Sequence, residues 1–416
     1  MYVERLRLTD FRNYRDLDLA LPKGLIVFLG RNAQGKSNLL EAVMLAATSR
    51  SFRTSSEREV VRWGTINHFA RIEAEVARSS DTLDVEVIIA DTGLPTEGAP
   101  KVAASAAAPA PQGVPFRKRI KINGAPRRAM DLIGKVTVVV FAPTDLDLVI
   151  GSPSERRRFL DMTLCQVRPA YCRALSQYQR ILTQRSALLR RIRDGEESPH
   201  ALGYWDEQLA QLAAPIMRER AIFLREASER AAEVYAALAH DAEGDEQDNP
   251  SEDAVSGPLR LIYRPSYDGS VEDDETAIAA GLRKRLTDLR RREIAQAANV
   301  MGPHRDDLAF LAGETDLAIY GSRGQQRSVA LALKLAELDY IQRETGEQPI
   351  LLLDDVLSEL DTQRRADLIA EVRGLDQVLL TTTDATSLPP ETEGAMRVYR
   401  VRGGSVTPAG DGRAGA

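Results

Sequence analysis

Cysteine and histidine are scarce in this chain. Two cysteines, Cys165 and Cys172, and four scattered histidines among 416 residues are too few for a disulfide scaffold or a zinc framework. Both thiols are expected to be buried and reduced. Long apolar runs are missing too. No stretch approaches the roughly 18 apolar residues of a membrane span, and MYVERLRLTDF at the start has no signal-peptide core, so the expected location is the cytoplasm, with no membrane partner. Excess positive charge is the third absence. With a net charge of −6, any nucleic-acid contact has to come from local basic patches on an acidic whole. At 43% hydrophobic and 28% charged residues, the chain has the composition and length for two or three globular domains.

What is there begins with GLIVFLGRNAQGKSNLL, residues 24–40. Residues 25–29 are apolar throughout, as in a strand buried on both faces, and residues 38–46 repeat with helical periodicity. The loop between them has the spaced glycines and the Lys-Ser of a P-loop. Gly30 and Gly35 let the backbone turn so that N–H groups aim at phosphate oxygens, helped by the positive end of the following helix. Gly30, Arg31, Asn32, Ala33, Gln34, Gly35, Lys36, Ser37 and Asn38 are therefore the candidate nucleotide-binding set. Lys36 is placed to reach the β- and γ-phosphates and Ser37 to ligate Mg2+. A P-loop also needs a carboxylate at the C-terminal edge of its sheet. Residues 348–355, QPILLLDD, supply two: Asp354 for the metal, and Asp355 as a general base toward the attacking water.

Alternating residues at 1–8, 17–21, 68–76, 83–89 and 119–122, the last followed by an Asn123-Gly124 turn, predict antiparallel strands. Residues 94–115, rich in Ala, Pro and Gly, read as a disordered hairpin tip. From about 151 to 300 the pattern is helical, with Ser152 or Ser154 as a cap, an acidic loop at 241–253 and a further helix from about 275 to 299. Residues 301–320 read as two strands round a Gly-Glu turn, before a glycine-rich loop and a helix from about 327. Buried strands are expected at 348–355 and 377–384. The resulting architecture is α/β: a P-loop ATPase head with antiparallel β decoration, its halves at 1–150 and 301–416, and an inserted helical arm at 151–300.

Tyr320-Gly321-Ser322-Arg323-Gly324-Gln325-Gln326-Arg327 resembles the signature loop of ABC-type ATPases, Ser-Gly-Gly-Gln at a helix start, with Arg323 where many members have glycine. Ser358-Glu359-Leu360-Asp361 stands in the place of the ABC D-loop. Residues 38–321 separate the P-loop from the signature, so the chain is similar to the split heads of the SMC family rather than to transporter ATPases. FRNYRDLDL (11–19), GRNAQGKSNLLEAV (30–43), SRSFRT (49–54), GSPSERRRFLD (151–161), GPHRDDL (302–308), GSRGQQR (321–327) and LLLDDVLSELD (351–361) narrow the resemblance to the RecF family of recombination-repair proteins.

That resemblance covers nearly the whole chain. It implies a protein that binds ATP and forms a homodimer around it, with Ser322 and Gln325 facing the γ-phosphate held by the other subunit. It implies DNA as a partner, at gaps and junctions of single and double strands, and action with RecO and RecR to promote RecA loading in recombinational repair and replication restart. It also brings Arg12 to the phosphates, with Arg53 in a similar part, although each residue taken alone reads equally as an ion-pair partner. No histidine stands near Thr381-Thr382-Thr383-Asp384, where transporter ATPases carry their switch. The implied hydrolysis is slow and DNA-dependent, a timer rather than metabolic turnover.

For DNA contact the candidates are Arg156 to Arg158, Arg190-Arg191-Arg193, Arg283-Lys284-Arg285 and Arg290 to Arg292. Each cluster alone reads also as a solvated helix face. His304 and Arg305 either serve the site or fix the turn after Gly302-Pro303. Among competing readings, a small-molecule kinase has no use for signature and D-loops, a GTPase needs an Asn-Lys-x-Asp reader that is absent, and an SMC-like tether needs sustained heptads that residues 151–300 lack.

Overall fold

The first thirty residues form three strands, β1 (Tyr2–Phe11), β2 (Tyr14–Ala20) and β3 (Gly24–Leu29). In a computed structural model that describes residues 1–54, 56–65, 68–91, 116–240, 257–384, 388 and 396–409, the chain divides into two units, Met1–Pro143 with Ile341–Ala416, and Thr144–Tyr340. The sequence readings at 94–115 and 241–253 lie outside the described residues. β1 and β2 pair antiparallel, Leu6 with Leu19 and Leu8 with Leu17, because their period-two pattern gives each strand one apolar face. After β3 comes α1 (Lys36–Thr48). β4 (Phe69–Ala77), β5 (Thr82–Asp91), β6 (Phe116–Ile122) and β7 (Ala125–Arg127) complete an antiparallel sheet of order β2-β1-β4-β5-β6-β7. Asn123 and Gly124, both at positive φ, close the β6–β7 hairpin as a tight turn requires. α2 (Ala129–Leu132) and β8 (Val138–Phe141) end this half of the first unit.

The second unit contains α3 (Leu146–Ile150), α4 (Pro153–Val167), α5 (Pro169–Arg193), α6 (Leu202–His240), β9 (Leu259–Arg264), α7 (Glu275–Gln296), β10 (Asp307–Ala312), β11 (Thr315–Asp316) and α8 (Leu317–Tyr320), with the boundary falling inside α9 (Arg323–Thr345). Ser152 caps α4: its backbone N–H donates to Glu155 at 2.7 Å and Pro153 opens the helix. β9 corrects the all-helical reading of this stretch. LRLIYR alternates over only six residues, and its antiparallel partner β10 lies beyond α7, so the flanking helical period hides it. α5, α6 and α7 enclose a buried ion network in which Arg185 donates to Asp206, Glu293 and Asn299. A fully buried guanidinium persists only when so completely paired.

Back in the first unit, β12 (Ile350–Asp354), α10 (Thr362–Val372), β13 (Gln377–Thr382), β14 (Met396–Arg402) and β15 (Ser405–Pro408) build a second sheet of order β15-β14-β3-β13-β12-β8. All of its pairs are parallel except β14 with β15. Leu25 to Phe28, Ile350 to Leu353 and Val378 to Leu380 are all buried, as strands covered on both faces must be. The parallel register brings the C-terminal ends of β3, β12 and β13 side by side. Among the described residues, no helix is long and apolar enough to cross a membrane.

Candidate functional site

The loop after β3 leads straight into α1. Gly35 sits at the helix start with φ 114, a backbone state that glycine adopts without cost. A Cβ there would stand 2.6 Å from the Asn13 side chain, and one on Gly30 would stand 2.4 Å from the Val401 carbonyl. Both glycines are therefore required by conformation or by crowding. Lys36 is buried, and its Nζ donates to the carbonyls of Gly30 at 2.6 Å and Arg31 at 3.1 Å. Two of its three donors thus hold the loop. Burial pushes the Lys36 pKa down, while Asp355 and Asp354 pull it back up.

Beside the lysine, Ser37 Oγ donates to Asp354 Oδ1 at 2.7 Å, joining α1 to the end of β12. Thr381 Oγ1, from β13, donates to the same oxygen at 2.8 Å and accepts the Asp355 backbone N–H at 2.9 Å. Asp355 has φ 54, an uncommon conformation for a residue with a side chain and a frequent mark of functional positions. A cavity of about 200 Å³ is lined by Asn32, Ala33, Gly35, Lys36, Ser37, Asn38, Arg53, Asp355 and Thr381. That volume suits phosphate groups more than a whole drug-sized ligand. The hydroxyl and carboxylate oxygens of Ser37 and Asp354 are hard donors of the kind Mg2+ takes, with waters and phosphates filling its other positions.

Two further elements hold the loop from outside. Gln34 accepts three hydrogen bonds: Asn13 Nδ2 to its carbonyl at 2.8 Å, the Gly404 N–H to the same carbonyl at 3.2 Å, and the Gly403 N–H to Oε1 at 2.8 Å. Tyr14 Oη donates to the Gly35 carbonyl at 3.0 Å. Asn13 and Tyr14 stand in the FRNYRDLDL motif and Thr381 in the strand expected at 377–384, but the sequence assigned them no role in the site, and the Gly403-Gly404 turn of β14–β15 was not singled out; a contact across the fold leaves no periodicity. Arg12 does not line the cavity. Its guanidinium clasps Glu41 in a bidentate pair at 2.8 and 2.6 Å, and Glu41, fully buried, also accepts Ser51 Oγ at 2.5 Å. Arg53 is on the cavity wall and donates to Asn38 Oδ1 at 2.6 Å.

Ser322 and Gln325 belong to the second unit. The Ser322 N–H donates to Gln325 Oε1 at 2.8 Å and the Gln325 N–H to Ser322 Oγ at 3.2 Å, a reciprocal cap on α9 whose serine is exposed. His304 is held by Tyr178 Oη at 2.6 Å on Nδ1 and approaches the Asn299 carbonyl on Nε2, and Arg305 donates to that carbonyl at 3.1 Å. Both residues brace a turn within this unit. Burial lowers the His304 pKa to about 4.

The arginine clusters are partly spent. Arg156 is buried and forms a bidentate pair with Asp307 at 2.6 and 3.0 Å, which removes it from the DNA candidates. Arg290 is tied to Asp206 at 2.7 Å and Arg283 to Glu207 at 2.8 Å.

Residues 2–407 match the family described as RecF/RecN/SMC N terminal domain. The chain is 42% identical to the DNA replication and repair protein RecF of Chloroflexus aurantiacus over 98% of this chain and 99% of that one. It is 38% identical to the RecF of Heliobacterium modesticaldum over 98% and 99%. A solved structure of the recombination mediator protein RecF with ATP, in the RecFOR pathway, superposes with a TM-score of 0.81 at 28% identity, covering 98% of this chain and 97% of that one. An SMC head bound to the C-winged helix domain of ScpA, at 15% identity and a TM-score of 0.51, shares the fold alone. With this match along its length and the P-loop, strand-end carboxylates and capped signature helix in place, the chain belongs to the RecF family of SMC-like ABC ATPases, proteins of DNA replication and repair.

Proposed function

We propose that this protein is an ATP-dependent DNA-binding switch of recombinational repair and replication restart. ATP draws two copies together on gapped DNA or at junctions of single and double strands, slow DNA-dependent hydrolysis releases them, and the bound form works with RecO and RecR to promote RecA loading in the cytoplasm. The observation that carries the reading is the meeting of Lys36, Ser37, Asp355 and Thr381 around one cavity, with Asp354 bonded to Ser37 and Thr381 beside it, because phosphoryl transfer on such folds is mainly positioning and charge stabilisation.

Within that reading, Lys36 turns its remaining donor to the β- and γ-phosphates and the loop from Gly30 to Asn38 cradles them. Ser37 and Asp354 hold Mg2+, which when bound supplies charge neutralisation on the phosphate oxygens. Asp355 orients the attacking water. Ser322 and Gln325 act on the nucleotide of the partner subunit, and their mutual capping keeps both polar groups fixed at the start of α9. Arg12 reaches the phosphates only by leaving Glu41, whereas Arg53 already faces the cavity.

The test is the size of the protein in solution with ATP or ADP, with and without gapped DNA. The expected result is a dimer with ATP, longer-lived on DNA, and single copies with ADP. A protein that stayed monomeric in every condition would overturn the reading.

A further inference from the structure

β6 and β7 form the outer hairpin of the antiparallel sheet. Arg117, Arg119 and Arg127 on these strands and Arg128 just after them are all exposed, and none is ion-paired among the described residues. The register explains why. Arg117 and Arg119 stand opposite Ala90 and Ile88 of β5, so neither faces a carboxylate on the neighbouring strand. One row further, Lys121 stands opposite Glu86 and pairs with it at 3.1 Å. Lys118, on the other face, is neutralised by Glu57 at 3.0 Å. Asp131, at the start of α2, accepts the backbone N–H of Arg128. β7 covers only Ile120 to Ile122 of β6, so among the described residues no strand pairs with β6 on that side at Arg117 and Arg119. The outcome is a cationic edge on a chain of net charge −6, with Arg117 and Arg119 on one face of the sheet and Arg127, opposite Ile120, on the other.

We infer that this edge seats the phosphate backbone of duplex DNA without reading its sequence; the inference rests on the DNA-binding reading above and specifies the surface. Alternate residues of a strand lie about 7 Å apart, so Arg117 and Arg119 can each reach a separate phosphate of one duplex strand, whose charges rise ~3.4 Å per nucleotide along the helix axis. Single strands are held largely by stacking on aromatic side chains. After Phe116, which opens β6, residues 117–131 contain no aromatic; one ring is too few for a stacking track, so a duplex is the fitting partner. The run was not picked out from the sequence because Ile120 and Ile122 alternate with its charges and the pattern reads as an ordinary amphipathic strand.

The experiment compares the parent with R117Q/R119Q/R127Q/R128Q, all in the full chain with ATP and Mg2+. R5Q/R7Q serves as a control, since those residues pair with Asp18 and Glu75. Affinity for a blunt duplex and for single-stranded DNA is measured over a salt series. For the quadruple variant, the expected log–log salt slope on duplex is shallower by up to about 3.6, at roughly 0.9 for each of four phosphate contacts. Duplex affinity should fall at least about tenfold at physiological salt, with ATP affinity unchanged and single strands and the control little affected. Equal duplex affinity and slope in parent and variant, or a loss confined to single strands, would overturn the assignment of this surface while leaving the DNA-binding reading standing. A parent with no affinity for any DNA would overturn that reading itself. R119E alone, changing one exposed side chain, keeps the test available if the quadruple variant folds poorly.

Discussion

Two adjacent carboxylates at the end of β12 have different surroundings. Asp354 takes hydrogen bonds from two hydroxyls on two other elements, whereas Asp355 occupies a left-handed backbone position on the cavity wall. Asp354→Asn should therefore weaken Mg2+-dependent ATP binding, while Asp355→Asn should bind ATP normally, hydrolyse it at least about tenfold more slowly and persist as a dimer on gapped DNA. Titration of ATP against Mg2+ and dimer lifetime check the pair; an Asp355 variant that dissociated as fast as the parent would reassign that residue. His304 gives a second prediction, in pH. Its folded pKa is about 4 against roughly 6.5 unfolded, so the folded state holds the neutral ring. Its contribution is complete above about pH 6.5 and is lost as pH falls from there toward 4. On the order of 1–3 kcal/mol of stability should disappear over that window, and His304→Gln should remove this slice of the pH dependence in denaturant unfolding.

At the scale of elements, a cap and a brace carry the consequences. Ser322 and Gln325 satisfy each other's backbone at the start of α9. Ser322→Arg should cost about 1 kcal/mol of stability through the lost cap, leave ATP binding by single copies nearly intact, and abolish ATP-dependent pairing and hydrolysis. Normal dimers from that variant would rule out a composite site. The β14–β15 turn, which lines no part of the cavity, holds Gln34 through two backbone N–H groups, and a Cβ on Gly404 would meet the Asn13 carbonyl at 2.5 Å. Gly404→Val should displace the loop and weaken ATP binding by about tenfold or more, the expected order when a misplacement on the 1 Å scale reaches a positioned site. Calorimetric ATP titration decides it, and an unchanged affinity would free the P-loop from the hairpin.

On the scale of the whole molecule, the site draws on both ends of the chain. β3 lies between β13 and β14, so its neighbours arrive only after residues 144–340 have been made. Such non-local pairing is slow to form. It also makes nucleotide binding a property of the assembled first unit rather than of the loop. Lys36→Met should accordingly keep the fold while lowering ATP affinity by about 30- to 150-fold, the loss of a charged hydrogen bond worth roughly 2–3 kcal/mol. It should leave single copies in ATP by size measurement, and a dimer from that variant would separate pairing from nucleotide.

Local patterns were enough for the P-loop, for the carboxylates ending β12 and for most strands of both sheets. Glycine spacing, apolar runs and alternation act over a few residues, and the backbone obeys them wherever they stand. Only the tertiary structure decided that Ser37 meets Asp354, that Arg12 rests on a buried Glu41, and that Arg156 is consumed by Asp307. It also placed β9 as a strand against β10 and set Arg117 and Arg119 opposite the uncharged Ala90 and Ile88. Whether a charge is neutralised depends on cross-strand register and on burial, and both come from residues far away along the chain. A pattern read along one segment names the residue types available to a site; the long-range pairing of strands determines which of them are brought together.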